Sequence, residues 1–206
     1  MIGFYNYTVV LTYIGTMFGF LGLQHIILGQ LKQALLCLMA AGFCDMFDGK
    51  IASTRKRTRQ EKRFGIQIDS LSDLVCFGVL PAQIGIHRAG NKKAAIGISI
   101  AYLLCALIRL AWFNVDEEER QTHSKEPREY YLGLPVTASA LLLPIFIGCG
   151  ELLYMSFSEA THWLLLLISI GFVTPFRFRK PRRTGILLLG IIGLTALVSV
   201  FLGVGR

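Results

Sequence analysis

The stretch "DMFDGKIASTRKRTRQEKRFGIQIDSLSD", residues 45 to 73, concentrates opposite charges between two apolar segments of the chain. Seven Lys or Arg residues lie in it between two pairs of aspartates. The four aspartates are Asp45, Asp48, Asp69 and Asp73. Because residues three or four apart share one face of a helix, each pair projects from a single face. We therefore expect two helices with paired carboxylates at the ends that this stretch connects.

Apolar segments on both sides of this stretch are long enough to cross a membrane. Of the 206 residues, 53% are hydrophobic, and a helix needs about 20 apolar residues to cross the hydrocarbon core. The candidate spans are residues 4–27, 32–48, 68–87, 94–114, 134–153, 161–176 and 184–204. Since the backbone in lipid must satisfy its own hydrogen bonds, the sequence predicts an all-α, polytopic membrane helix bundle. The segments 32–48 and 161–176 are short for a full crossing, so we predict six or seven transmembrane helices. All of them belong to a single domain of residues 1–206.

The distribution of basic residues predicts the orientation of the bundle. We interpret residues 4–27 as a retained helix and not as a removed signal peptide, because no charged segment with a cleavage site precedes them. Positive residues of short loops remain in the cytoplasm. The two basic clusters that we place there are Lys50, Arg55, Lys56, Arg57, Arg59, Lys62 and Arg63, and Arg177, Arg179, Lys180, Arg182 and Arg183. Arg88, Lys92 and Lys93 then fall on the opposite side, against this rule.

The net charge of +8 at pH 7 would suit a nucleic-acid partner, but no aromatic-rich basic domain accompanies it. The basic residues lie close to the apolar spans, so anionic lipid headgroups and phosphate are the expected partners, and nucleic acid is not. The five cysteines lack CxxC spacing, and the four histidines are scattered along the chain. We therefore interpret the cysteines and histidines as packing or interfacial residues.

The chemistry of the four aspartates predicts a divalent metal site. A bare carboxylate costs about 2.5 to 3.5 kcal/mol at the centre of the membrane, and like charges repel one another. Oxygen ligands without His or Cys favour a hard cation such as Mg²⁺, Mn²⁺ or Ca²⁺. Four carboxylates on two facing helices can hold two such ions, an arrangement that clamps a phosphoryl or pyrophosphate group. Gly49 and Ala52 would let a ligand lie against their helix, and Gly65 would let the next helix approach closely.

Two other interpretations of the aspartates are open at this point. A charged loop flanked by helix-capping aspartates would need no ion. A divalent-cation transporter would bind its ion with carboxylates, but transporters commonly have repeated halves and sites at mid-membrane. The chain has no internal repeat, and we place the aspartates at one end of two neighbouring spans. A metal-dependent phosphate chemistry is therefore favoured.

The spacing of the motif is also that of a known family. Asp45-x-x-Asp48-Gly49-x-x-Ala52, followed by Gly65-x-x-x-Asp69-x-x-x-Asp73, resembles the signature of the CDP-alcohol phosphotransferases. These membrane enzymes move a phospho-lipid group from a CDP-lipid to an alcohol and release CMP. The chain departs from the family pattern because Ser53 stands where Arg usually follows the Ala, and because the interval to Gly65 is longer. Arg55 is the expected substitute for that Arg.

Four further segments are similar to the phosphatidylserine synthases that use CDP-diacylglycerol. They are "FGIQIDSLSDLVCFGVLPA" (64–82), "IRLAWFN" (108–114), "GLPVTASA" (133–140) and "TPFRFRK" (174–180). The resemblance implies transfer of the phosphatidyl group from CDP-diacylglycerol to L-serine in phospholipid biosynthesis. It also implies a homodimer in the cell membrane, with the active site facing the cytoplasm. A sibling enzyme for inositol phosphate or glycerol phosphate would share all four aspartates, and an ether-lipid donor would need the same machinery.

The resemblance and the chemistry together assign roles to individual residues. Metal ligands for two Mg²⁺ or Mn²⁺ ions would be Asp45, Asp48, Asp69 and Asp73, and Asp73 would also accept the proton of the serine hydroxyl. The CDP-lipid would lie against Gly49, Ala52, Arg55 and Gly65. The carboxylate of serine needs a cation that distinguishes it from ethanolamine. Arg109 is the first candidate, followed by Arg177 and Arg179; an Arg that extends to the lipid headgroups is the alternative for each.

Overall fold

The computed structural model describes residues 3–90, 92–123, 130–153, 160–179 and 183–205. In these residues the chain forms eight α-helices and one small two-stranded sheet. The helices are α1 (Val10–Ile27), α2 (Leu31–Ser53), α3 (Arg59–Asp73), α4 (Leu80–Arg88), α5 (Lys93–His123), α6 (Ser139–Leu152), α7 (Ala160–Val173) and α8 (Arg183–Gly203). A π-helical segment, Leu74–Val79, joins α3 to α4 in one continuous rod. The predicted all-α bundle is confirmed.

Three of the helices are long and apolar enough to cross a membrane, and they are Tyr7–Ile27, Arg59–Arg88 and Lys93–Arg120. Shorter apolar helices cover Val136–Leu152, Ala160–Val173 and Leu188–Gly203. Helix α2 carries three charged residues in its apolar stretch, and its Ala34, Leu35 and Leu38 are completely buried in the bundle. The chain is therefore a polytopic membrane protein, and the count of six or seven crossings stays a prediction.

The connection between the two aspartate helices is shorter than the sequence predicts. Helix α2 continues beyond Asp48 to Ser53, and α3 already begins at Arg59. A capping box starts α3, because Glu61 N donates to Thr58 Oγ1 at 3.2 Å and Thr58 N donates to Glu61 Oε2 at 2.8 Å. The prediction that the aspartates end their helices is thus wrong, since both pairs lie within helical rods. Most of the basic stretch is also helical and not a loop.

Helix α1 packs against both aspartate helices through a stripe of glycines. It runs antiparallel to α2 and parallel to the rod. A Cβ atom at Gly19 would lie 2.6 Å from Cys76 Sγ of the rod, and one at Gly22 would lie 3.2 Å from Cys37 Cβ of α2. Only residues without a side chain allow such close approach of helix backbones. The glycine stripe therefore brings the carboxylates of α2 and of the rod to one place.

The π-helical segment directly follows Asp73 and is tied to two other helices. The Phe77 carbonyl accepts a hydrogen bond from Tyr102 Oη of α5 at 2.7 Å and one from Ser139 Oγ of α6 at 3.5 Å. Tyr102 is completely buried. Short π-helical segments inside helices occur frequently at functional sites. Here the segment fixes the rod just beyond the last aspartate.

The two ends of the bundle carry different structures. At the far end, defined by the last turns of α4 and α6, Arg88 Nη1 lies 2.6 Å from Glu151 Oε1. At the site end, defined by the last turns of α2 and α5, strand β1 (Tyr130–Leu132) pairs antiparallel with β2 (Arg177–Arg179). This small sheet is an addition to the predicted all-helical architecture. The positive charge of Arg88, which lies on the side where the charge rule for loops does not expect it, is thus compensated by Glu151.

Candidate active site

Three carboxylates converge at the site end, where Asp48 and Asp69 line a cavity of about 600 Å³ and Asp45 lines a smaller cavity next to it. One oxygen from each of Asp45, Asp48 and Asp69 lies within 4.8 Å of the other two. All three side chains are half-buried. Within the described part of the chain, no Lys, Arg or His forms an ion pair with any of them. The arrangement therefore gathers carboxylates that no cation of the described residues pairs with.

A second, inner cavity of about 10 Å³ adjoins this cluster. Its lining includes all four predicted aspartates together with Ser72 and Cys76. Asp73 belongs to this inner lining but not to the cluster of three carboxylates. The volume is about that needed for one water molecule. The structure thus brings the four aspartates together and sets Asp73 apart from the other three.

Helix α1 supplies polar support that the sequence did not suggest. Thr12 Oγ1 donates to Asp48 Oδ2 at 3.3 Å. Thr16 Oγ1 donates to Ser72 Oγ at 2.7 Å, next to the inner cavity. The signal that could have identified these threonines is the glycine stripe of α1, because it predicts a face in close contact with other helices.

The small residues predicted to contact the donor do line the large cavity. They are Gly49, Ala52 and Gly65. A Cβ atom at Gly49 would meet no atom within 4 Å, so packing within the protein does not require a glycine there. A Cβ atom at Gly65 would lie 3.1 Å from Arg57 Nη1, so this glycine makes room for a guanidinium group. The two glycines therefore serve different purposes in the cavity wall.

The basic residues that line the cavity do not include Arg55, which the sequence predicts there. Arg57, Lys62 and Arg120 line it. Arg55 does not, and its Nη2 lies 3.5 Å from Glu61 Oε1. The Arg120 guanidinium binds Glu117, with Nη2 2.6 Å from Oε1 and Nε 2.9 Å from Oε2. The assignment of Arg55 to the CDP-lipid stays a prediction, and its position gives that assignment no support.

Of the predicted acceptor residues, Arg109 and Arg177 do not line either cavity. Arg109 is buried, and its Nε and Nη2 lie 3.3 and 3.5 Å from the carbonyl oxygens of Leu134 and Gly133. Arg177 is exposed at the start of β2. Arg179 ends the same strand, and its side chain lies outside the described part of the structure. Their roles towards an acceptor stay predictions.

The donor set of the cluster fits a hard divalent cation. Carboxylate oxygens are the ligands that Mg²⁺ and Mn²⁺ prefer, and three of them already lie within a span that one or two ions can bridge. The Thr12 hydroxyl holds one carboxylate in place from behind. The large cavity opens directly above the cluster and has room for a phosphate group.

Comparison with known proteins identifies relatives of the chain. Residues 5–174 match the family model described as CDP-alcohol phosphatidyltransferase. A relative from Helicobacter pylori is 28% identical over 174 residues, which are 77% of this chain and 67% of the relative. One from Mycobacterium tuberculosis is 28% identical over 182 residues, 83% of this chain and 62% of the relative. One from Saccharomyces cerevisiae is 38% identical over 105 residues, 50% of this chain and 37% of the relative.

All three relatives carry the name CDP-diacylglycerol–serine O-phosphatidyltransferase. The chain spans between about a third and two thirds of their length. The family match contains every residue that lines the two cavities.

Proposed function

The chain belongs to the CDP-alcohol phosphatidyltransferase family, and on this premise we propose that it transfers a phosphatidyl group from CDP-diacylglycerol to the hydroxyl of L-serine. The products are phosphatidylserine and CMP. One observation carries the proposal, namely the cluster of three carboxylates under a cavity with a wall of small residues. The names of the relatives support serine as the acceptor.

The aspartates divide into metal ligands and a base. Asp45, Asp48 and Asp69 would hold the ions, and Asp73 would accept the proton of the acceptor hydroxyl and could also complete the ligand set. The chemistry supplied by two bound Mg²⁺ or Mn²⁺ ions is neutralisation of the donor diphosphate and of the charge on the departing CMP. The serine Oγ attacks the lipid-bearing phosphorus, the bond from that phosphorus to the CMP oxygen breaks, and Asp73 takes the hydroxyl proton. The position of Asp73 outside the cluster of three carboxylates supports this division.

The donor lies along the wall of small residues. Gly49 and Ala52 contact the cytidine nucleotide, and Gly65 lies opposite them. The open space at Gly49 supports this placement, because only a ligand needs the room that the missing side chain leaves. The acyl chains remain in the bilayer, which accounts for a membrane-embedded scaffold.

The active site faces the cytoplasm from the cell membrane, in a homodimer. The basic residues between Asp48 and Asp69 lie at the same end of the bundle as the cavity, and positive residues of this kind remain cytoplasmic. The pairing of Arg88 with Glu151 compensates one of the three positive charges that argued for the opposite orientation.

The carboxylate of serine is met by an Arg at the site end, with Arg109 first and Arg177 and Arg179 after it. Arg109→Ala should raise the KM for serine far more than the KM for CDP-diacylglycerol. Steady-state kinetics with each substrate varied in turn measures this. Equal effects on both constants, with a lower Tm, would instead assign Arg109 to holding the backbone at Gly133 and Leu134.

The first test is a transfer assay with the purified protein in detergent. CDP-diacylglycerol, Mn²⁺ or Mg²⁺, and labelled L-serine are supplied, beside reactions with inositol 1-phosphate and glycerol 3-phosphate. Metal-dependent phosphatidylserine and CMP in equal amounts are expected. CMP with another acceptor alone would preserve the family chemistry and refute serine. A folded protein that releases no CMP with any acceptor would refute the proposed function.

A further inference from the structure

The basic segment between the aspartate pairs contains cations of two kinds. Two of its arginines pair with glutamates, Arg55 with Glu61 (3.5 Å) and Arg63 with Glu118 (3.2 Å), and Arg120 of α5, which also lines the cavity, pairs with Glu117 (2.6 Å). Arg57 and Lys62 have no hydrogen-bond or ion-pair partner among the described residues, and both line the cavity. The positive charges that remain uncompensated on the cavity wall are therefore these two.

The carboxylate next to Lys62 in the sequence is held by other partners. Glu61 precedes Lys62 directly, but its Oε2 accepts the Thr58 N–H of the capping box. Its Oε1 accepts Asn6 Nδ2 at 3.3 Å and lies 3.5 Å from Arg55 Nη2. Both oxygens of Glu61 are thus held at the start of α3, and the cavity keeps its positive charge.

The two cations lie above the carboxylates in a defined order. Arg57 Nη1 lies 3.1 Å from the position that a Cβ atom of residue 65 would occupy. Gly65 is one helical turn before Asp69 on α3. Four residues of helix correspond to about 6 Å along its axis, and Lys62 lies about 4.5 Å farther towards the opening. A ligand that extends from the floor of the cavity to its opening meets Arg57 first and Lys62 second.

We propose that Arg57 and Lys62 form an anion subsite that binds an oxyanion group of a substrate one helical turn above the aspartates. The inference rests on the proposed function, which supplies two such groups, the diphosphate of the donor and the carboxylate of serine. A guanidinium presents a planar set of donors that fits either group, and Lys adds a point charge. Gly65 is the residue that gives Arg57 access to this position.

The test uses four variants that each remove one positive charge from the same segment. Arg57→Gln and Lys62→Gln alter the subsite, whereas Lys56→Gln and Arg59→Gln remove exposed charges that do not line the cavity. Kinetic constants for CDP-diacylglycerol and serine are measured in neutral detergent, with Tm as the control for folding. Because a charged hydrogen bond contributes about 1.5 to 3 kcal/mol, Arg57→Gln should raise one KM by about 10-fold or more. Lys62→Gln should act on the same constant, less strongly.

Each outcome decides the question. A higher KM for CDP-diacylglycerol alone assigns the subsite to the diphosphate, and a higher KM for serine alone assigns it to the carboxylate. Effects no larger than those of Lys56→Gln and Arg59→Gln would refute the subsite and leave the segment attracted to anionic lipid. If the wild-type protein does not use serine, the proposed function fails separately. Equilibrium binding of CDP-diacylglycerol to the same four variants then tests the subsite. A Kd that is unchanged in Arg57→Gln and Lys62→Gln would refute it.

Discussion

The two ends of the bundle differ in how their charged side chains are partnered. At the far end, the nearly buried Arg88 is matched by Glu151 at 2.6 Å. At the site end, Asp45, Asp48 and Asp69 approach one another within 4.8 Å, and no cation of the described residues pairs with them. Both ends place charge in surroundings where an unpaired charge is costly. Among the described residues, Arg88 has an acidic partner and the three clustered aspartates have no basic one.

This difference separates structural charge from functional charge. The ion pair of Arg88 and Glu151 joins α4 to α6 and needs no ligand to balance its charge. Like charges held together repel one another, so a cluster of them in a cavity is a candidate site for a cation from outside the chain. The glycine stripe of α1 is what holds them, because it forces α2 and the rod together. The comparison therefore predicts opposite responses to mutation at the two ends.

The largest effect is expected from Asp69→Asn. Removing groups that only orient metal ligands costs about 10- to 100-fold in activity, so losing a ligand should reduce CMP formation by more than about 100-fold. The Tm in the absence of metal should be unchanged or higher, because one repelling charge is gone. Mn²⁺ should raise the Tm of the wild-type protein by binding its folded state, and this rise should disappear in the variant.

Asp116→Asn serves as the matched control for this variant, since Asp116 lies on α5 outside both cavity linings. It should keep both the activity and the Mn²⁺-dependent rise in Tm. An Asp69→Asn protein that retained wild-type turnover would remove the basis for the metal site.

The next effect should appear in stability and not in activity. Glu151→Gln leaves Arg88 without its counter-charge, which should lower the free energy of unfolding by about 1 to 3 kcal/mol, below the full cost of a broken buried pair because Glu151 is partly exposed. The double variant with Arg88→Gln should recover much of that loss, because neither charge is then left alone. Denaturation in detergent measures both, and turnover per folded molecule should stay at the wild-type level.

A fall in turnover without a change in stability would show that the far end takes part in the reaction. Such a result would contradict the division of charge between the two ends.

The sequence predicts most of the aspartate cluster because the rules involved are local. Spacings of three and four residues place each aspartate pair on one helix face, and the short connection from Ser53 to Arg59 keeps the two helices adjacent. The limits of these helices were predicted less well, because charged residues of α2 and α3 were interpreted as a loop. The capping box of Thr58 and Glu61 could have corrected that interpretation.

Other parts of the site depend on contacts between distant segments. Thr12 reaches Asp48 only because the glycines of α1 fit against two other helices, a match that local patterns do not reveal. Strands β1 and β2 come from residues far apart in the chain, and neither is long enough to give a strand pattern. The choice of Arg57 over Arg55 for the cavity likewise follows from where Gly65 leaves room.

Two glycine substitutions sharpen the comparison between the ends at a smaller scale. Gly49→Ala adds a methyl group to open cavity space and should raise the KM for CDP-diacylglycerol by about 10-fold, with no change in Tm. Gly85→Ala adds the same group at the far end, where it would overlap Leu165, and should lower stability by about 1 to 3 kcal/mol. Its KM should stay unchanged. If Gly49→Ala lowered only the stability and Gly85→Ala raised only the KM, the ligand would bind elsewhere.

The smallest effect is expected from Arg55→Gln, although the sequence pattern assigns this residue to the donor. Its guanidinium pairs with Glu61 on a side chain that is 43% exposed, and exposed ion pairs contribute about 0 to 1 kcal/mol. The KM for CDP-diacylglycerol should therefore change by less than about 2-fold, as measured beside Arg57→Gln. If Arg55→Gln instead had the larger effect, the donor would reach beyond the cavity wall, and the basic segment would bind it through Arg55 and not through Arg57. The order of these two variants thus decides whether spacing in the sequence or position in the cavity identifies the functional arginine.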